Sequence, residues 1–132
     1  MVTTILVDGS NVLFWQGGVA QADVPERVVR ALIARRFAPL VYFDNSIGRH
    51  IGQAALVRLE TLAQVRVAPA GTPADALLLK ACEKGRIQIV SNDRFRTWRD
   101  DHPQLQAVWL VTGRIVRGGR VEFSKKLRSA PI

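Results

Sequence analysis

Short apolar runs alternate with stretches of helical period along this chain. Strand-like runs stand at about 2–7, 40–43, 65–68, 87–91 and 107–112. Between them, apolar side chains return every three or four residues, the spacing of one helix face. Val28 and Leu32 mark a helix from Asp23 to about residue 37, with Asp23 and Glu26 spaced as a capping box. Pro39 then punctuates the chain before the second strand. Ile51, Ala55, Leu59 and Leu62 mark a helix over about 48–63. Thr72-Pro73 opens another, which runs to Lys84 and stops at Gly85. A short helix is expected over 94–99, and 114–123 reads as a hairpin turning on Gly118-Gly119. Strands alternating with helices predict an α/β domain: a mostly parallel five-stranded sheet between helix layers, with the hairpin at its C-terminal end. At 132 residues the expectation is one domain, with a short basic tail from about 124.

The chemistry gathers where the apolar runs stop. Val7 leads into Asp8-Gly9-Ser10-Asn11, Phe43 into Asp44-Asn45, and Val90 into Ser91-Asn92-Asp93, while Asp75 opens the helix after the third strand. In a parallel sheet the crevice beyond the carboxyl ends of the strands is where sites form. Asp8, Asp44, Asp75 and Asp93 are therefore expected to converge at one edge, where like charges repel unless a cation holds them. Each acid has a structural alternative. Asp75 could belong to a capping box with Thr72, Ser91-Asn92-Asp93 could cap a helix, and Asp44 could sit in a turn. Capping accounts for each singly and not for their common edge. Oxygen donors without His or Cys favour Mg2+ or Mn2+.

Charge sharpens that picture. Nineteen Lys and Arg against eleven Asp and Glu give a net charge of +8. Fifteen of the nineteen are Arg, whose planar fork suits phosphate. A basic protein with an acidic pocket points to a polyanion, nucleic acid above all. Arg94, Arg96 and Arg99 come directly after Asp93, and Arg117, Arg120 and Lys125 lie on the hairpin and tail as a second basic patch. Trp15 and Trp98 could stack on bases, although packing is the commoner use of such residues. Cys82 is the sole cysteine and reads as a small buried hydrophobe; His50 and His102 read as surface and turn residues. Neither nucleotide-binding glycine motif stands after the first strand. No apolar stretch is long enough to span a membrane, and no secretory leader pattern opens the chain, so a cytoplasmic protein is expected.

Val7-Asp8-Gly9-Ser10-Asn11-Val12, Tyr42-Phe43-Asp44, Ala74-Asp75-Ala76 and Ser91-Asn92-Asp93-Arg94-Phe95 together resemble a PIN-like ribonuclease domain of the NYN and Zc3h12a-type branch, in order and spacing over about 3–100. The resemblance implies that Asp8, Asp75 and Asp93 ligate Mg2+ or Mn2+, that Asp44 stands as a fourth acid, and that Asn11 belongs to the catalytic set with Ser10, Ser91 and Asn92 in support. It also implies metal-dependent hydrolysis of single-stranded RNA with products bearing 5′-phosphate and 3′-hydroxyl ends; the basic residues Arg94, Arg96, Arg99, Arg117, Arg120 and Lys125 are then the expected contacts to that RNA. Position 74 is Ala where that pattern often has a second acid, which leaves one carboxylate there. A catalytically inactive RNA-binding or scaffold member of the fold is the alternative. A homodimer and a protein partner are both left open by the sequence.

Overall fold

A computed structural model of the chain describes residues 3–82, 87–93 and 109–124. Five parallel strands form the sheet: β1 (Thr3–Asp8), β2 (Phe37–Phe43), β3 (Gln64–Val67), β4 (Ile89–Val90) and β5 (Leu110–Val111), in the order β3-β2-β1-β4-β5. An antiparallel pair, β6 (Gly113–Ile115) and β7 (Val121–Phe123), comes after them. The helices are α1 (Gly9–Val12), α2 (Asp23–Ala34), α3 (Gln53–Glu60) and α4 (Ala74–Ala81), with a 3-10 turn at Asn45–Arg49. Among the described residues no helix is long and apolar enough to cross a membrane.

β1 holds the centre because it is apolar on both faces. Alternate residues feed two cores. Ile5 and Val7 join Val41, Phe43, Val90 and Val111 against Val28 and Leu32 of α2. Leu6 joins Tyr42, Ile89 and Leu110 against Leu78, Leu79 and Cys82 on the α4 side. The same period puts Asp8 on the face of Leu6, toward α4, and Ser91 on the face of Ile89. Successive strands lie on one side of β1 up to β3, and the chain then crosses to add β4 and β5 on the other. Asp8 thus ends the strand at which the order reverses, the place where open α/β sheets bind ligands.

Several boundaries differ from the sequence expectation, each for a local reason. The helix begun at Asp23 ends at Ala34, because Arg36 takes a left-handed turn (φ 66°) that glycine usually supplies. Phe37 therefore opens β2 and Pro39 lies inside that strand, opposite Ile5. The first β3 partner is Gln64 against Leu40, so at Pro39 β2 is still an edge and the missing N–H is tolerated. Neither expected capping box forms. Asp23 and Glu26 sit within the first turn of α2 and pair with Arg27 and Arg30 at 3.0 and 3.2 Å, and Thr72 gives α4 no side-chain bond. The helix expected over 48–63 is broken into the 3-10 turn and α3, with Gly52 as the residue between coil and helix.

Gly9 sets how closely the turn after β1 lies on β2. A Cβ there would stand 2.6 Å from the Phe43 ring and 2.8 Å from Val41, both fixed in the core. Gly9→Ala should therefore destabilise the protein by about 1–3 kcal/mol, the usual cost of overpacking. Thermal denaturation reads this directly; an unchanged midpoint would mean that the turn relaxes freely away from β2.

Candidate functional site

Asp8 is 3% exposed at the carboxyl end of β1. One of its oxygens accepts from the Ser91 hydroxyl at 2.9 Å, across the β1–β4 junction. The other accepts from the backbone N–H of Asn11 at 3.3 Å, closing the α1 turn. Burial pushes this carboxyl up from 3.8 to about 7, and the negative charges of Asp75 and Asp93 push the same way, against the two hydrogen bonds. Asp75, half-buried in the first turn of α4, is raised by burial and then by Asp93 and Asp44. The four acids thus feel one another at one sheet edge. Two bonds to a nearly water-free carboxylate do not replace its lost hydration, so negative charge in the pocket is left under-compensated.

Asn11 faces elsewhere with its side chain. Its amide oxygen accepts from the Trp15 indole N–H at 2.8 Å and from the Asn92 backbone N–H at 2.7 Å. Asn92 in turn clamps Gly113, donating to its carbonyl at 3.0 Å and accepting from its N–H at 2.9 Å. Asn11 is accordingly a positioning residue that ties β1, β4 and the hairpin together. Trp15 is committed to this lattice, packed on Gly113 so closely that a Cβ there would meet its ring at 2.7 Å. The four-residue spacing of Asn11 and Trp15 is the one sequence signal that could have shown the link. Ser91 has a second part, accepting from the Asp93 N–H at 3.0 Å while it donates to Asp8.

The family model of the Zc3h12a-like ribonuclease NYN domain matches residues 1–117. The chain belongs to this family. Among solved structures it is similar to nuclear proteinaceous RNase P 2 (PRORP2) from A. thaliana, with 18% identity and a TM-score of 0.66. That likeness covers 98% of this chain and 30% of the A. thaliana protein, and it concerns the fold. No curated protein matches this NYN chain in sequence.

Asp44 does structural work in this NYN domain. One of its carboxylate oxygens accepts from the Ala74 N–H at 2.8 Å, which caps α4 from the end of β2. Its own N–H donates to the Ser10 hydroxyl at 2.7 Å, so the α1 turn, the end of β2 and the start of α4 are joined in one chain of bonds. Asp75 is the residue immediately after the capped position. Arg117 and Arg120 are exposed on the hairpin. Arg94, Arg96, Trp98, Arg99, His102 and Lys125 fall outside the described residues, as does the helix expected over 94–99.

These bonds carry two expectations. Asp8 keeps its proton in the folded state up to about pH 7, whereas the unfolded chain loses it near 3.8. Below both values it contributes nothing; between them the native state binds more protons, so metal-free stability should fall as pH rises. Asp8→Asn should remove that slope and gain stability over the parent at pH 8 far more than at pH 4, as read by urea denaturation in EDTA. For Asp44, replacement by Ala should cost about 1 kcal/mol and replacement by Asn only a fraction of that, since an amide oxygen still caps. Equal losses in the two variants would remove the capping role.

Proposed function

We propose that this NYN domain is a metal-dependent ribonuclease that hydrolyses phosphodiester bonds of single-stranded RNA at the Asp8 edge of the sheet. The observation that carries the reading is the buried Asp8 carboxylate at the strand-order reversal, its pKa raised by burial first and then by Asp75 and Asp93, in a protein of net charge +8. The donor set is suited to a hard divalent cation: the acids are all oxygen donors, and their mutual repulsion is relieved by positive charge. Among the described residues no three acidic, His or Cys side chains already form a cage.

Asp8, Asp75 and Asp93 would hold Mg2+ or Mn2+. Asp44 enters chiefly through the helix that carries Asp75. A bound divalent cation there supplies a water of lowered pKa and offsets charge on the phosphoryl oxygens. Ser91 and the Asn11 N–H fix the rotamer of Asp8, so that its charge is pre-aimed. Asn11, through Trp15 and Asn92, keeps β4 and the hairpin in register with it. The cations proposed for the RNA backbone are Arg117 and Arg120, together with Arg94, Arg96, Arg99 and Lys125, whose phosphate contacts would set the strand's position rather than its sequence.

Labelled single-stranded RNA, incubated with Mn2+, with Mg2+ and with EDTA, tests the proposal. Cleavage should need the cation, and Asp8→Asn should lower it by about 100-fold or more while the protein stays folded. Asp8→Asn cleaving at the parental rate would end the proposal. RNA binding without cleavage under every condition would leave the RNA-binding scaffold reading in its place.

A further inference from the structure

Phe14 is 38% exposed although Val12 and Leu13 immediately before it are buried. Its ring meets the exposed His50 edge to face, with centroids 5.5 Å apart and planes at 82°. An edge-to-face pair covers at most one face of one ring, so aromatic surface stays open to solvent. The position is as telling as the exposure. Phe14 donates its N–H to the Asn11 carbonyl at 3.1 Å, one turn beyond Asp8. His50 donates to Ile47 and Ile47 to Asp44, each at 3.0 Å. The Ser10–Asp44 bond joins the same two segments. The pair therefore bridges the two segments that follow Asp8 and Asp44. Arg49 is exposed on the same turn.

We propose that Phe14 and His50 form a nucleobase-stacking subsite for single-stranded RNA beside the acid cluster, with Arg49 placed for a neighbouring phosphate. The proposal rests on the ribonuclease reading above and gives it a direction, from the hairpin arginines across Asp8 to the end of β2. Every base has a π-face, so stacking here selects unpaired bases without selecting sequence. A base within a duplex has both faces already occupied and gains nothing from the pair. The aromatic residue offered to the strand is Phe14, while neighbouring Trp15 is held by Asn11 and Gly113.

Binding is measured in EDTA, where the RNA stays whole, using a short single-stranded RNA and a set carrying one abasic ribose at each position in turn. In the parent protein one abasic position should weaken binding by roughly five- to a hundredfold. Phe14→Ala should weaken the intact RNA by a similar factor and lose sensitivity to that position. Phe14→Trp should keep both. If Phe14→Ala binds intact RNA as the parent does, or keeps the abasic penalty, the subsite is overturned and the ribonuclease reading stands. If the parent binds no RNA, or shows no abasic penalty at any position, the subsite is likewise overturned, and the cation-dependent cleavage assay decides the ribonuclease reading separately.

Discussion

The hydrogen bond from Ser91 to Asp8 is the joint on which the site hangs. It spans the line where strand order reverses, so it ties the half of the sheet built from residues 3–67 to the half built later. Without a partner, a carboxylate buried at that depth would be neutral or would draw in water. With Ser91 and the Asn11 N–H it is held in one orientation, and still left short of charge compensation. That deficit separates Asp8 from an ordinary buried polar group. Structural carboxylates are usually paired until their pKa falls below the free value, and this one moves the other way.

Around that joint, backbone and side chains are arranged so that Asp8, Asp44 and Asp75 are each held by a neighbour from another part of the sequence. Asp75 is set by a cap that comes from the end of β2. The end of β2 is set by Ser10 in the turn after β1, and that turn lies close only because position 9 lacks a side chain. Exposed ion pairs such as Arg27–Asp23 and Arg114–Glu122 add little by comparison, since solvent screens them. The site is ordered by hydrogen bonds from backbone N–H and hydroxyl donors rather than by ion pairs.

The sheet, its strand count and the edge at which the acids gather are legible in the sequence because period and punctuation are local signals. Val7-Asp8 or Val90-Ser91 announces a strand end without reference to the rest of the chain. The failures share one cause. In sequence the end of a helix is signalled by residues beside it, such as Asp23 or Thr72, whereas the folded chain satisfies α4 with an oxygen thirty residues away in Asp44. Arg36 in a left-handed conformation and Pro39 inside β2 are likewise choices that tertiary packing imposes on unfavourable residues. Asn11 stands near the chemistry in sequence, but its side-chain partners, Trp15 and Asn92, depend on where β4 and the hairpin arrive. The exposed Phe14–His50 contact has no sequence signature, because it joins two loops by shape alone.

The bonds that orient the pocket also set when it can exist. Ser91 reaches Asp8 across 83 positions, Asn92 reaches Asn11 across 81, and Arg27 meets the Gly119 carbonyl across 92. Contacts of such separation form slowly and late, because loop closure must come before them. During synthesis, intervals of 83 and 81 positions separate Asp8 and Asn11 from Ser91 and Asn92, the partners that orient them. For most of that time the nascent chain carries the acids without the scaffold that aims them. The pocket matures only once Ser91 and Asn92 have joined the fold, which makes its assembly a check on the integrity of what lies between.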